Sequence, residues 1–271
     1  MAIATKHGKE KVIAPLLEES IGVECVLAEG FDTDELGTFT GEVERQYDPL
    51  TTLKQKCRRG IGATGCDLAV ATEGSFGSHP NIPFVNAHDE LVMLYDQAND
   101  LQVTGRKLTT DTNFSGQQVK DISELECFAQ SVLFPSHALI LKDGEEHFTQ
   151  VIKGIKDWSV LSASFDDLMF DNQSVFVETD MRAMFNPTRM QVIKKATEDL
   201  LNNLASTCDV CGSPGFVAVE IVKGLPCQQC GNPTNSTKLL VYECQRCGHR
   251  EEVKQHGKSV EDPMYCNVCN P

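Results

Sequence analysis

Eight of the twelve cysteines fall in the final 64 residues, as four pairs with two residues between the partners. They are Cys208 and Cys211, Cys227 and Cys230, Cys244 and Cys247, and Cys266 and Cys269. Two intervening residues let one tight turn aim both sulfurs at a single ion, and two such turns complete a tetrahedron. Gly212, Gly231 and Gly248 each follow the second cysteine of a pair, where a left-handed backbone closes the turn. The pattern predicts two structural zinc ions on eight thiolates, in a small zinc-ribbon-like domain over 208–271. A redox pair of this spacing normally stands alone at a helix start. Full coordination leaves no open position, so the ions hold structure and do not carry out chemistry.

The spacing leaves the sharing of ions open between nested, sequential and crossed arrangements. The strand-like run Leu239-Leu240-Val241-Tyr242 favours one ribbon from Cys227 to Cys247, with the first and last pairs meeting around it. His249 and His256 read as polar residues outside the coordination spheres.

Charge narrows the partners. The chain carries 39 acidic against 24 basic residues, a net charge of −15. Such a surface repels phosphate backbones and anionic membranes on average. The cysteine-rich tail holds seven acids and six bases, so nucleic-acid binding is the least favoured reading. A tail that packs on the core or on a protein partner fits better. No run of about 18 apolar residues and no signal peptide is present, so no membrane role is expected. The expected compartment is the cytoplasm, where thiols stay free for metal.

Upstream of the tail, strands and helices alternate, which predicts an α/β or mixed α+β core domain over 1–186. A connecting helix over 187–207 follows, opened by Asn186-Pro187. Strands are predicted at 1–5, 23–28, 67–72, 90–95, 101–109, 137–141, 147–153 and 173–177. A helix begins near Glu10 and is broken or kinked by Pro15. Asp48-Pro49 opens another, ending at Gly60 and Gly62. Further helices are expected over 121–133 and 158–169.

Three polar stretches in the first 80 residues are candidates for chemistry. Thr5-Lys6-His7-Gly8-Lys9 forms a strand-to-helix turn, a ready anion site in which Lys6, His7 and Lys9 face the ligand. Asp32 and Asp34, in a glycine-rich loop, can hold magnesium together with substrate phosphates. Glu73-Gly74-Ser75-Phe76-Gly77 leaves an apolar strand as a tight loop, placing Glu73 and Ser75 where ligands bind in α/β sheets. Arg182 is a further candidate phosphate ligand.

Over nearly its full length the chain resembles a family of uncharacterised bacterial proteins. The resemblance rests on ATKHGKEK, FDTDELGTFTGEVER, ATEGSFGSHP, FPSHALIL, ETDMRAMFNPTRM and the tail from GLPCQQCGNPT to DPMYCNVCNP. The first 80 residues are also similar to pyrophosphatases that cleave noncanonical purine nucleoside triphosphates. ATKHGK stands at the phosphate-binding turn, Lys54 to Cys57 at the Lys-Ala helix, and ATEGSFG at the magnesium-binding strand end. His7 replaces the asparagine of that turn, and Thr51 stands where an acidic residue precedes the helix pair.

The leading expectation is a magnesium-assisted phosphohydrolase acting on a nucleotide or small phosphorylated ligand. Lys6, Lys9 and Lys56 hold phosphates, and Glu73 with Asp32 or Asp34 binds the ion. The rivals are a non-enzymatic zinc-binding scaffold and, last, a zinc-ribbon nucleic-acid binder.

Overall fold

The computed structural model describes residues 1–29, 47–254 and 257–271. The chain divides into two compact units, Met1–Asp100 with Thr104–Leu200, and Leu101–Val103 with Leu201–Pro271. Among the described residues no helix is long and apolar enough to cross a membrane.

The first unit is mixed α and β. One sheet has the order β2-β1-β3-β4-β5, built from β1 (Ala2–Ala4), β2 (Val26–Leu27), β3 (Leu68–His79), β4 (Ile82–Asp96) and β5 (Leu101–Thr109). β1 runs parallel to both neighbours, and β3 pairs antiparallel with β4. Helix α1 (Glu10–Ile21) follows β1, and α2 (Pro49–Thr64) precedes β3. Leu53, Cys57 and Ile61 of α2 pack on Ala2, Ala4, Ala69 and Ala71. Small residues on the sheet let the helix lie close.

The second sheet has the order β6-β9-β7-β8, from β6 (Gly116–Val119), β7 (Leu139–Lys142), β8 (Val151–Ile155) and β9 (Val175–Thr179). Helices α3 (Ile122–Ser131) and α4 (Trp158–Asp171) supply Leu125, Phe128, Leu161, Phe165 and Leu168 to one core with Val119, Leu139, Leu141, Val175 and Val177. Asp121 and Asp157 cap these helices by accepting backbone N–H bonds at their first turns. Helix α5 (Pro187–Ala205) starts as expected, with Asn186 Oδ1 accepting from Arg189 N at 2.9 Å.

Several elements differ from the sequence reading: β4 begins at Ile82 where a strand is expected only over 90–95, β6 is not expected, and β8 lies later than the expected 147–153. Helix α1 passes through Pro15 to Ile21, because Pro15 sits on the exposed side while Ile13 and Leu17 anchor the buried one. Helix α2 continues past Gly60 to Thr64, with Gly65 as its left-handed cap, since Gly60 is there for close approach: a Cβ would lie 2.8 Å from Ala4 Cβ. Strand β3 does not end at Glu73 but runs to His79, paired throughout with β4. The expected tight loop is strand, and Glu73 stands in its middle.

The second unit carries a three-stranded antiparallel meander, β10 (Val217–Lys223), β11 (Thr237–Glu243) and β12 (Arg250–Lys254). Its apolar core is small, with Cys208, Phe216 and Cys244 buried and Tyr242 packed against them.

Candidate functional site

Each cysteine pair of the second unit sits in the same turn. Gly212 N donates to Cys208 O at 2.8 Å, Gly231 N to Cys227 O at 2.9 Å, and Gly248 N to Cys244 O at 2.9 Å. The three glycines have φ of 67°, 70° and 71°, the left-handed conformation their positions predict. The last pair closes alike, Asn270 N donating to Cys266 O at 2.8 Å.

The turns assemble two tetrads, Cys208, Cys211, Cys244 and Cys247 in one, and Cys227, Cys230, Cys266 and Cys269 in the other. The pairing is crossed, first with third and second with fourth, which corrects the nested expectation. Strand β11 does lie between the second and third pairs, but those two pairs belong to different tetrads. Sulfur separations are 3.7 Å (Cys208 to Cys247), 3.6 Å (Cys211 to Cys244), 3.9 Å (Cys227 to Cys269) and 3.6 Å (Cys230 to Cys266). These are too long for disulfides. A tetrahedron with metal–sulfur bonds of about 2.3 Å has edges of about 3.8 Å, so the residues fit a four-thiolate metal ion. His249 stands outside the tetrads, stacked on Phe216 with ring centres 5.7 Å apart. His256 lies outside the described residues.

The first unit holds buried ions on both sides of β3. Pairing with β1 stops at Ala71, so Thr72 and Glu73 lie just past the end of the short strand β1. Alternation sends them to opposite faces. On the α2 face, Lys56 Nζ donates to Glu73 Oε2 at 2.5 Å, both residues being buried. On the other face, Lys9, at the start of α1, donates from Nζ to Thr72 Oγ1 at 2.7 Å and lies 4.0 Å from Glu90 Oε1. Arg189 of α5 donates from Nε to Glu90 Oε2 at 3.2 Å and from Nη1 to Met181 O at 2.5 Å. His88 Nε2 lies 2.8 Å from Glu90 Oε2, and its ring stacks on Phe76 at 4.3 Å. Gly74 opposes Glu90 across the ladder, and a Cβ there would run into Glu90 Oε2 and come within 2.7 Å of Arg189 Nη2.

Glu90 and Arg189 are fully buried, and burying unbalanced charge costs several kcal/mol per ion. Burial pushes the Glu90 carboxyl up, but Arg189, the His88 hydrogen bond and Lys9 outweigh it and hold the group below the ordinary carboxylate range. Burial, reinforced by Arg189 and Lys56 against the pull of Glu90 and Glu73, lowers the Lys9 ammonium to about 7.

Of the residues expected from sequence, Lys9, Lys56 and Glu73 flank the same short stretch of β3, though not on one face. Ser75 faces the α2 side with Glu73, opposite Asp89 on β4. Lys6 and His7 form the turn before Lys9, His7 in the left-handed region at φ 68°. Arg182 makes a two-pronged pair with buried Asp180, its Nη2 donating at 2.6 Å. Asp32 and Asp34 lie outside the described residues. Among the described residues only the cysteine tetrads bring three or more metal donors together. Glu73, held by Lys56, does not by itself form the expected magnesium site.

The sequence reading missed Glu90, His88 and Arg189. Their signal was present: His88 and Glu90 share a strand face with Val92 and Leu94, and Arg189 is buried with Val192, Ile193 and Ala196 along α5. A charge on an apolar face is the mark of a buried ion site.

A family model described as a domain of unknown function (DUF6671) matches residues 56–271. The match takes in Lys56, Glu73, Glu90, Arg189 and all eight paired cysteines. No curated protein and no solved structure matches the chain.

Proposed function

The chain belongs to the DUF6671 family, and from that premise we propose a zinc-bearing protein whose first unit binds and hydrolyses a nucleotide or small phosphorylated ligand. Zinc, in this reading, occupies both cysteine tetrads and holds the second unit together. Four thiolates at the observed sulfur separations suit a closed structural site. Elemental analysis should find about two zinc ions per chain. A content near one, or iron in place of zinc, would count against it.

The observation that carries the phosphate reading is the gathering of Lys9 and Arg189 beside Thr72. On that face both cations approach the carboxylate of Glu90, while Lys56 pairs with Glu73 on the other face of the strand. Lys9 enters from the turn before α1, where backbone N–H groups also favour an anion. The phosphate is held by Lys9 and Arg189 on the Thr72 face of the sheet.

A panel of nucleoside triphosphates and simple phosphate esters, assayed with and without magnesium, tests this. The chain should turn over at least one of them, and Lys9→Met should lower that rate on the order of 100-fold. Absence of turnover across the panel would remove the hydrolase reading.

A further inference from the structure

Three of the four cysteine turns are closed by a hairpin bond from their own first cysteine. Cys208 N donates to Ser213 O at 2.9 Å, Cys227 N to Asn232 O at 2.8 Å and Cys244 N to His249 O at 2.9 Å. The fourth turn is built from the other side. Cys266 N donates to Pro263 O at 3.1 Å, in the single 3-10 turn Pro263–Tyr265 that leads into it. The placement of Cys266 and Cys269 therefore depends on the residues just before them.

Those residues are pinned at Glu261. It pairs in parallel with Cys227 as an isolated bridge. Glu261 N donates to Pro226 O and Gln228 N donates to Glu261 O, each at 2.8 Å. The bridge holds the start of the second cysteine turn against the approach to the fourth, and these two turns make one tetrad. The Glu261 side chain fixes how the chain leaves the bridge. Its Oε1 accepts from Asp262 N at 2.8 Å and from Lys258 Nζ at 2.7 Å, and Ser236 adds a side-chain hydrogen bond. Asp262 continues the path, its Oδ1 accepting from Met264 N at 2.8 Å and its O from Tyr265 N at 3.0 Å. Glu261 is buried, and a carboxylate is rarely buried without bonds that hold it.

We propose that Glu261 is the positioning residue of the second metal centre, setting Cys266 and Cys269 against Cys227 and Cys230 so that all four sulfurs reach one ion. The inference rests on the zinc reading of the tetrads and adds to it a residue outside the ligand set. Groups that orient metal ligands typically cost about 10–100-fold in metal affinity when removed. The bonds of Glu261 described above reach none of the turns of the first tetrad, Cys208, Cys211, Cys244 and Cys247, so the effect belongs to the second.

Cadmium-113 is the suitable probe, because each bound ion gives its own resonance and couples to the β-protons of its own cysteines. The full chain is loaded with it and mixed with excess NMR-silent cadmium, so that both tetrads stay filled while the signals decay by exchange. In Glu261→Ala the signal coupled to Cys227, Cys230, Cys266 and Cys269 should decay about 10–100-fold faster than in the unaltered chain. The other signal should stay within about threefold of its unaltered rate. Glu261→Gln keeps an acceptor for Asp262 N and should return the second rate most of the way. Lys258→Met removes an ion pair whose lysine is exposed and should change it by less than about fivefold. Unchanged exchange in Glu261→Ala, equal acceleration at both sites, or an effect in Lys258→Met as large as in Glu261→Ala would overturn the assignment. If Glu261→Ala takes up no cadmium, normal loading and exchange of Glu261→Gln supports the assignment, and a Glu261→Gln that also fails to load counts against it. An unaltered chain that binds neither cadmium nor zinc removes the zinc reading and this inference with it. Full loading with exchange indifferent to Glu261 removes the inference alone.

Discussion

Replacing Cys244 and Cys247 together by serine should release both metal ions, not one. The two residues ligate only the first tetrad, with Cys208 and Cys211. The crossed pairing nevertheless ties the tetrads together. The segment joining the halves of the first contains Cys227 and Cys230, and the segment joining the halves of the second contains Cys244 and Cys247. Opening either tetrad lengthens the loop that the other must close and loosens the strands that aim its sulfurs. The apolar core around Phe216 is too small to hold the unit by itself. Zinc in a closed four-thiolate site, worth about 10–16 kcal/mol, would then supply most of its folding energy. Metal content should fall from about two ions per chain to near zero, with loss of the β10–β12 strand signal. Trp158, the single tryptophan, lies in the first unit and should keep its native fluorescence. Clean loss of one ion with the other tetrad intact would refute the coupling.

Arg189→Met should destabilise the first unit by about 3–5 kcal/mol, the usual cost of stranding a buried charge. Both Arg189 and Glu90 are fully buried, so without the guanidinium the carboxylate keeps only the His88 hydrogen bond and the more distant Lys9. The guanidinium also bonds Met181 O, linking strand β4 to the segment that follows β9. Its loss therefore loosens both sheets. Adding Glu90→Gln should restore part of the lost stability, because the double variant replaces a stripped carboxylate by an amide and leaves Lys9, an amine that can shed its proton. Urea unfolding followed at Trp158 measures both variants. That ring packs edge-on against Phe134, with centres 4.6 Å apart, and reports directly on the second sheet. A loss below about 1 kcal/mol in Arg189→Met would mean that the cluster is hydrated and not a buried ion group.

Much of the architecture could be read from residue order. The capped helix starts at Asp48, Asp121 and Asn186, and the tight turns of the cysteine pairs, depend on local chemistry and appear where that chemistry predicts them. What local chemistry does not contain is the neighbour. Gly60 and Gly62 look like a stop until Ala4 is placed against the helix. Glu73-Gly74-Ser75-Phe76-Gly77 looks like a loop until β4 lies beside it and Gly74 makes room for Glu90 and Arg189. The pairing of the four cysteine turns is likewise a tertiary fact, since their spacings admit every combination. The polar site was half legible. Lys9, Lys56 and Glu73 stood out as isolated charges beside predicted elements, whereas His88, Glu90 and Arg189 were hidden within apolar periodicity.

Crossed pairing also sets a problem of timing during synthesis. Cys208, Cys211, Cys227 and Cys230 leave the ribosome before either correct partner pair exists. Those four thiols already satisfy the donor set for one ion, in a combination absent from the finished fold. At about 5–20 residues per second, Cys244 follows Cys230 after roughly 1–3 s, and until then the wrong tetrad is the only one available. The nascent chain must therefore either stay free of metal over that interval or give up an early ion to its proper neighbours.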